Sequence, residues 1–122
     1  MKFLVIDDNP GIRKTIKKVL SEREAVILEC CDGTELLDAY ETFRPDIVIT
    51  DIQMPVMDGI SATSVLKQHY PDARVIVLTS YNDKDLILHA ISAGADAYVL
   101  KEEIVKLYEY INPLLSNNRN TI

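Results

Sequence analysis

The chain has 122 residues, of which 48% are hydrophobic and 26% charged, as in one compact domain with a single core. Its net charge of −6 at pH 7 argues against nucleic-acid binding by this segment alone, since such binding requires a basic surface. No apolar run approaches the length of a signal peptide or a membrane span, so we expect a cytoplasmic protein that does not enter a membrane. Cys30 and Cys31 are too few for a disulfide scaffold or a tetrahedral zinc site, and we expect reduced thiols.

Strand and helix patterns alternate along the chain. The first apolar run, residues 3–6, is followed by a stripe at helical spacing that begins after Asn9-Pro10, a capping residue with proline at the first helical position. Four more strand-length runs rich in β-branched residues follow, each with a helical stripe behind it: residues 25–28, 47–49, 75–78 and 97–100. Pro71 and Gly94 fit the ends of two of these helices.

This alternation predicts five βα units in one domain, residues 1–116, with residues 117–122 as a polar tail or the start of a linker. Five such units favour a flavodoxin-like α/β fold: a doubly wound five-stranded parallel sheet in the order 2-1-3-4-5, with helices on both faces. Because the apolar runs are continuous rather than alternating, we expect the strands to be covered on both faces.

Polar residues follow the strands at the carboxyl edge of this predicted sheet, where doubly wound folds bind their ligands. They are Asp7 and Asp8 after the first strand, Asp51 after the third, Thr79 and Ser80 after the fourth, and Lys101 after the fifth. Each of these groups alone is ordinary for a turn, a cap or a surface. Their convergence at one edge, with complementary chemistry, indicates a site.

Three clustered carboxylates repel one another and require a cation. Oxygen ligands select Mg²⁺ or Mn²⁺ over zinc or copper. A hydroxyl, a lysine and such a cation around one carboxylate describe a phosphoryl-binding site, in which the ionised Asp51 can act as the nucleophile without a general base. The two histidines, His69 and His89, are expected to be surface residues.

These segments resemble the receiver domain of two-component response regulators. Four pieces carry the resemblance, in the family's order and spacing: VIDDNP (5–10), DIVITDIQMPVMDGI (46–60), VIVLTSY (75–81) and AGADAYVLK (93–101). The similarity runs from residue 2 to about residue 116. It implies a phosphorelay protein that takes a phosphoryl group from a sensor histidine kinase. Such a domain catalyses its own phosphorylation and dephosphorylation but does not turn over small molecules.

The resemblance also implies a role for each matching residue. Asp51 would be the phosphorylated residue, and Thr79 and Lys101 would act with it on the phosphoryl oxygens. The implied cation ligands are Asp7, Asp8, Asp51 and the backbone carbonyl of Gln53, with Asp8 the more direct of the acidic pair. Ser80 stands where the family requires a small side chain.

Thr79 and Tyr98 match the family's switch pair. Phosphorylation is expected to draw Thr79 toward the phosphate, turn Tyr98 inward, and reshape the surface of the fourth helix, fifth strand and fifth helix. A homodimer or an output partner would bind there. Candidates for that surface, where they are not core, are Leu86, Leu88, Val105 and Tyr110. The sequence leaves open whether an output domain follows residue 122, although LKEE and the polar tail resemble regulators with a DNA-binding domain at that point.

Two departures from the family pattern stand out. Glu102 follows Lys101 where the family often has proline, so a cis peptide cannot be assumed and the reach of Lys101 is in question. Gln53 and Tyr81 occupy the positions that tune hydrolysis in the family, and a bulky tyrosine there is expected to impede water and slow the loss of phosphate.

Three other functions fit the predicted fold less well. A flavin or nucleotide binder would need a glycine-rich phosphate loop, but DDNPGIR offers carboxylates and a proline instead. A small-molecule phosphatase with an aspartate nucleophile would use a second acid where Gln53 lies. An interaction module that works without phosphorylation remains the third alternative.

Overall fold

The sheet has five parallel strands in the order β2-β1-β3-β4-β5, as predicted. They are β1 (Lys2–Ile6), β2 (Val26–Cys30), β3 (Ile47–Thr50), β4 (Val75–Thr79) and β5 (Ala97–Leu100). These elements are those of a computed structural model, which describes residues 1–54 and 56–116. The predicted tail, residues 117–122, lies outside the described residues.

Five α-helices pack on the two faces of this sheet. They are α1 (Pro10–Leu20), α2 (Leu36–Phe43), α3 (Gly59–His69), α4 (Lys84–Ser92) and α5 (Leu107–Ser116). Alternate residues of β1 point to opposite faces, so Phe3 and Val5 pack with α1 and α5 while Leu4 and Ile6 pack with α2 and α3. A smaller cluster beneath α4 contains Ile52, Val77 and Ala90. The doubly wound prediction is therefore confirmed.

The strand β2 is more exposed than its continuous apolar run predicted. Val26 and Leu28 are 56% and 37% exposed, so the expectation that every strand is covered on both faces is wrong here. Among the described residues the strand pairs with β1 alone, so it forms one edge of the sheet. Continuous hydrophobicity does not distinguish an edge strand from a central one, because that depends on the strand order.

Short capping contacts fix where the helices begin at the carboxyl edge. The side chain of Asn9 accepts hydrogen bonds from the backbone N–H groups of Gly11 and Ile12, and Pro10 is the first residue of α1, as predicted. Asp58 and Asp83 cap α3 and α4 in the same way. At the end of α4, Gly94 has a φ of 107°, a conformation that favours glycine.

The fifth unit differs from the single helical stripe expected there. After β5 the chain forms a 3-10 helix, Lys101–Lys106, before α5 begins. Ile104 of that turn still packs against the core shared by α1 and α5. Across residues 1–54 and 56–116, no helix combines the length and apolar character required to cross a membrane.

Candidate functional site

The carboxyl ends of β1, β3 and β5 bring four charged side chains together. Asp7, Asp8 and Asp51 each offer a carboxylate oxygen, and these three atoms lie within 4.8 Å of one another. The Nζ atom of Lys101 lies 3.3 Å from Oδ2 of Asp7 and 3.3 Å from Oδ2 of Asp51. The fold therefore brings together the four charged residues that the sequence predicted at this edge of the sheet.

The two buried carboxylates are oriented by the backbone. Asp51 Oδ1 accepts a hydrogen bond from the N–H of Ile52 at 2.8 Å, and Asp7 Oδ1 accepts one from the N–H of Asn9 at 2.8 Å. In each case the other oxygen is the one near Lys101. Asp8, by contrast, is exposed at the rim.

Burial raises the pKa of Asp51, and the nearby charge of Asp7 raises it further, while Lys101 opposes the shift. One lysine thus does not neutralise the three carboxylates around it. A divalent cation beside them would supply the missing positive charge, and oxygen donors suit Mg²⁺ or Mn²⁺. The donor set therefore fits such an ion.

These side chains line an open cleft of about 560 Å³. Its described lining residues are Asp7, Asp8, Asn9, Asp51, Ile52, Gln53, Met54, Asp58 and Lys101. Gln53 is exposed and lines this cleft, and the role of its backbone carbonyl as a cation ligand stays a prediction. The cleft is large enough for a phosphoryl group beside a cation, and the waters that Mg²⁺ would keep in such a site can be replaced by phosphoryl oxygens.

Gly59 is a site residue that sequence analysis did not single out. A Cβ atom on this glycine would lie 1.8 Å from the carbonyl oxygen of Asp51. The Gly59 N–H also donates to the carbonyl of Ile52 at 2.8 Å. The start of α3 is therefore packed against the backbone that carries Asp51. In the sequence, Asp-Gly at positions 58 and 59 is typical of a turn, which does not reveal a close approach of two backbones.

Lys101 reaches the site without a cis peptide bond, since none occurs among the described residues. The peptide that joins Lys101 to Glu102 is trans, and the 3-10 helix begins there. The lysine still contacts Asp7 and Asp51. The absence of proline at position 102 does not prevent this contact.

The predicted switch residues are connected through Tyr81. The hydroxyl of Thr79 is fully buried and accepts a hydrogen bond from the N–H of Tyr81 at 3.3 Å. The Tyr98 hydroxyl donates to the carbonyl of Tyr81 at 2.6 Å, and its ring packs against the cluster beneath α4. Neither Thr79 nor Tyr81 is among the described residues that line the cleft. Ser80 is exposed and borders a second, smaller cleft with Lys101.

Only part of the expected output surface is exposed. Leu88 and Val105 are 61% and 72% exposed. Leu86 and Tyr110, in contrast, pack against core clusters, so they do not contribute fully exposed side chains. Ile91 on α4 is exposed and was not predicted. His69 and His89 are exposed and lie outside the cleft, as expected.

Comparison with known proteins agrees with this geometry. The family model described as response regulator receiver domain matches residues 3–112. The chain is 40% identical over 112 residues to the uncharacterized transcriptional regulatory protein YhcZ of Bacillus subtilis, covering 87% of this chain and 52% of that protein. It is 36% identical over 100 residues to the chemotaxis protein CheY of Halobacterium salinarum, covering 82% of this chain and 83% of that protein.

A solved structure gives the same result. The two-component response regulator of the LuxR family from Aurantimonas sp. matches with a TM-score of 0.88 at 29% identity, over 94% of this chain and 84% of that one. The chain therefore belongs to the response regulator receiver domain family. It spans about half the length of the Bacillus relative, so that relative contains a region which this chain does not match.

Proposed function

We propose that this domain accepts a phosphoryl group on Asp51 and uses it to control an output. The observation that carries the proposal is the shared contact of Lys101 with Asp7 and Asp51 beside a third carboxylate. This arrangement holds a nucleophilic oxygen, a fixed ammonium and a cation-binding set at one cleft. The lysine alone does not balance three carboxylates, so the cluster keeps the negative charge that a divalent cation requires.

The transfer requires little chemistry from the protein. An oxygen of the Asp51 carboxylate forms a bond to phosphorus while the bond between phosphorus and the imidazole nitrogen of a donor histidine breaks. The electron pair of that bond stays with the ring, which takes up a proton. Lys101 lies 3.3 Å from Asp51 Oδ2, where it can pair with a phosphoryl oxygen. The main contribution is fixed positive charge at the place where negative charge accumulates.

The cation site would consist of Asp7, Asp8, Asp51 and the backbone carbonyl of Gln53. A bound Mg²⁺ or Mn²⁺ supplies charge neutralisation for the phosphoryl oxygens. The protein residues orient that charge: backbone N–H groups fix Asp7 and Asp51, whereas Asp8 offers a third carboxylate from the exposed rim. This division of roles fits a site that must accept both a cation and an incoming phosphoryl group.

Phosphorylation would change the hydrogen bonds that connect Thr79, Tyr81 and Tyr98. If the Thr79 hydroxyl turns to a phosphoryl oxygen, the Tyr81 N–H loses its present acceptor. The Tyr81 carbonyl holds the Tyr98 hydroxyl, so the change would reach β5 directly. This is a two-state element biased by local charge.

The partners follow from the family and from the relatives' names. A sensor histidine kinase would donate the phosphoryl group. An output that acts on transcription is supported by relatives described as transcriptional regulatory proteins. The exposed apolar residues Leu88, Ile91 and Val105 would form the surface for a homodimer or an output partner.

The test is the intact mass of the protein after incubation with a small phosphoryl donor, with and without Mg²⁺. The expected result is one added phosphoryl group that requires Mg²⁺ and is absent from Asp51→Asn. Asp58→Asn is the matched control, because Asp58 lines the same cleft but its carboxylate caps α3 through Ser61. This control should still be phosphorylated.

The absence of an adduct on the folded wild-type protein with Mg²⁺ present would refute the proposal and favour an interaction module. An adduct that persists in Asp51→Asn would place the acceptor elsewhere. Rapid, many-fold release of phosphate from a small molecule, without accumulation of the adduct, would favour the phosphatase alternative.

A further inference from the structure

Arg13 connects α1, β2 and the loop after β1. Its Nη1 atom donates a hydrogen bond to the backbone carbonyl of Asp7. Its Nε atom lies 3.2 Å from Oε1 of Glu29, whose other oxygen lies 3.0 Å from Nζ of Lys17. The guanidinium therefore has one edge on the acidic loop and another on a glutamate that holds it in place.

With this contact, each polar atom of Asp7 has a partner within the chain. Its N–H donates to the carbonyl of Cys30 at 3.1 Å, and its two carboxylate oxygens lie against the Asn9 N–H and Lys101 Nζ. Arg13 holds the remaining atom, the carbonyl oxygen. That carbonyl belongs to the peptide group that joins Asp7 to the exposed Asp8.

We propose that Arg13 is a positioning residue for the cation site: it fixes the peptide between Asp7 and Asp8 and so directs the Asp8 carboxylate into the cleft. The inference rests on the cation site of the proposed function. It adds a residue that does not touch the cation and acts through the backbone. Contacts of this kind around a metal site commonly change its affinity by 10- to 100-fold when removed.

Electrostatics alone predicts the opposite change in cation affinity when Arg13 is removed, which makes the inference testable. Arg13 is a positive charge near three carboxylates, so its charge alone disfavours a divalent cation. Its loss would then tighten cation binding. Loss of a positioning contact would instead weaken binding, because Asp8 would have to be ordered when the ion binds. The direction of the change separates the two effects.

The experiment is a titration of the unphosphorylated protein with Mn²⁺, in which free Mn²⁺ is measured by electron paramagnetic resonance. We expect Arg13→Gln to bind Mn²⁺ about 10-fold more weakly than wild type. Lys17→Gln is the matched control, since it removes the same charge from the same glutamate without a contact to Asp7. It should bind as tightly as wild type or slightly tighter.

A second variant distinguishes the shape of the side chain from its charge. Arg13→Lys keeps the charge but lacks the planar fork that contacts the carbonyl and Glu29 together. It should also bind Mn²⁺ more weakly than wild type. Urea unfolding without metal establishes that each variant is folded. If Arg13→Gln does not fold, Arg13→Lys decides the test, because its charge is unchanged: weaker Mn²⁺ binding would support the positioning role and unaltered binding would overturn it.

The outcomes are distinguishable from failure of the proposed function. Wild-type protein that binds no Mn²⁺ would overturn both the cation site and the role of Arg13. Normal wild-type binding, with equal or tighter binding by folded Arg13→Gln, would overturn the positioning role alone. Weaker binding by Lys17→Gln to the same extent would also overturn it, because the effect would then come from the ion-pair network in general.

Discussion

Gly59→Ala should slow phosphorylation strongly, although position 59 contributes no side chain to the site. The added Cβ would lie 1.8 Å from the carbonyl oxygen and 2.8 Å from the carbonyl carbon of Asp51. Both atoms belong to the backbone, so no side-chain rotation can relieve the contact. Either α3 or the peptide after Asp51 must move.

The size of the movement follows from the contact distance. The carbonyl oxygen has to retreat from 1.8 Å to beyond 3.0 Å, the limit below which such contacts essentially never occur, a movement of about 1.2 Å. Asp51 Oδ1 depends on the adjoining Ile52 N–H for its orientation. A displacement of about 1 Å in a reacting group can cost roughly 100-fold in rate. The overpacking should also cost about 1–3 kcal/mol of unfolding free energy.

The assay follows phosphorylation with a small phosphoryl donor and saturating Mg²⁺ by intact mass over time. We expect Gly59→Ala to react about 100-fold more slowly than wild type. Gly11→Ala is the control, because its Cβ would meet only the Asn9 side-chain oxygen, at 3.1 Å, in the first turn of α1. That variant should react at nearly the wild-type rate. A folded Gly59→Ala protein that also reacts at nearly the wild-type rate would refute this reasoning.

Three further predictions address charge, lifetime and output. Burial, and then neighbouring negative charge, raises the pKa of Asp51, so its ionised form costs stability above that pKa. Asp51→Asn should therefore raise the unfolding free energy of the metal-free protein at about pH 7, with the gain shrinking as the pH falls through the folded pKa and wild-type Asp51 becomes protonated. Urea titrations across pH test this, and an unchanged or lower stability at neutral pH would contradict it. Tyr81→Ala should shorten the lifetime of the phosphorylated protein several-fold by admitting water, whereas Tyr81→Phe should not; an equal lifetime for the alanine variant, followed by intact mass, would contradict that. Leu88→Glu and Val105→Glu should each abolish phosphorylation-dependent association in sedimentation experiments, whereas Val26→Glu on the far edge strand should leave it intact. Association that persists in both would exclude this surface.

The site charges could be predicted from sequence because parallel strands end at one edge. Asp7 and Asp51 follow the neighbouring strands β1 and β3, and Lys101 follows β5 at the same edge, one strand beyond β3, from which its long side chain reaches both. The order of the apolar runs thus predicts which side chains lie close together in space, even when about fifty residues separate them along the chain. The contacts of Lys101 with both carboxylates follow from that order and from the length of its side chain.

The backbone contacts could not be predicted in the same way. Two contacts, Gly59 against the Asp51 carbonyl and Arg13 on the Asp7 carbonyl, depend on how the helices dock on the sheet. No periodicity in the sequence encodes which carbonyl a side chain will meet. The exposure of Val26 was missed for a related reason, since an edge strand and a central one can have the same composition.

The way α4 is held suggests why it would respond to the site. Ala90 is its only buried residue, whereas α1 and α3 bury three and four. Its C-terminal end is anchored, because Gly94 packs closely against Lys67, whose ammonium pairs with Asp96 at 3.0 Å.

The N-terminal end of α4 follows Tyr81. The Tyr81 N–H donates to the Thr79 hydroxyl, and the Tyr81 carbonyl accepts from the Tyr98 hydroxyl. A helix that is fixed at one end and lightly packed along its length can pivot when the contact at its other end changes. The exposed Leu88 and Ile91 lie on this helix. A rearrangement at Thr79 would therefore move apolar side chains that are already available to a partner, without disturbing the larger cores beneath the other helices.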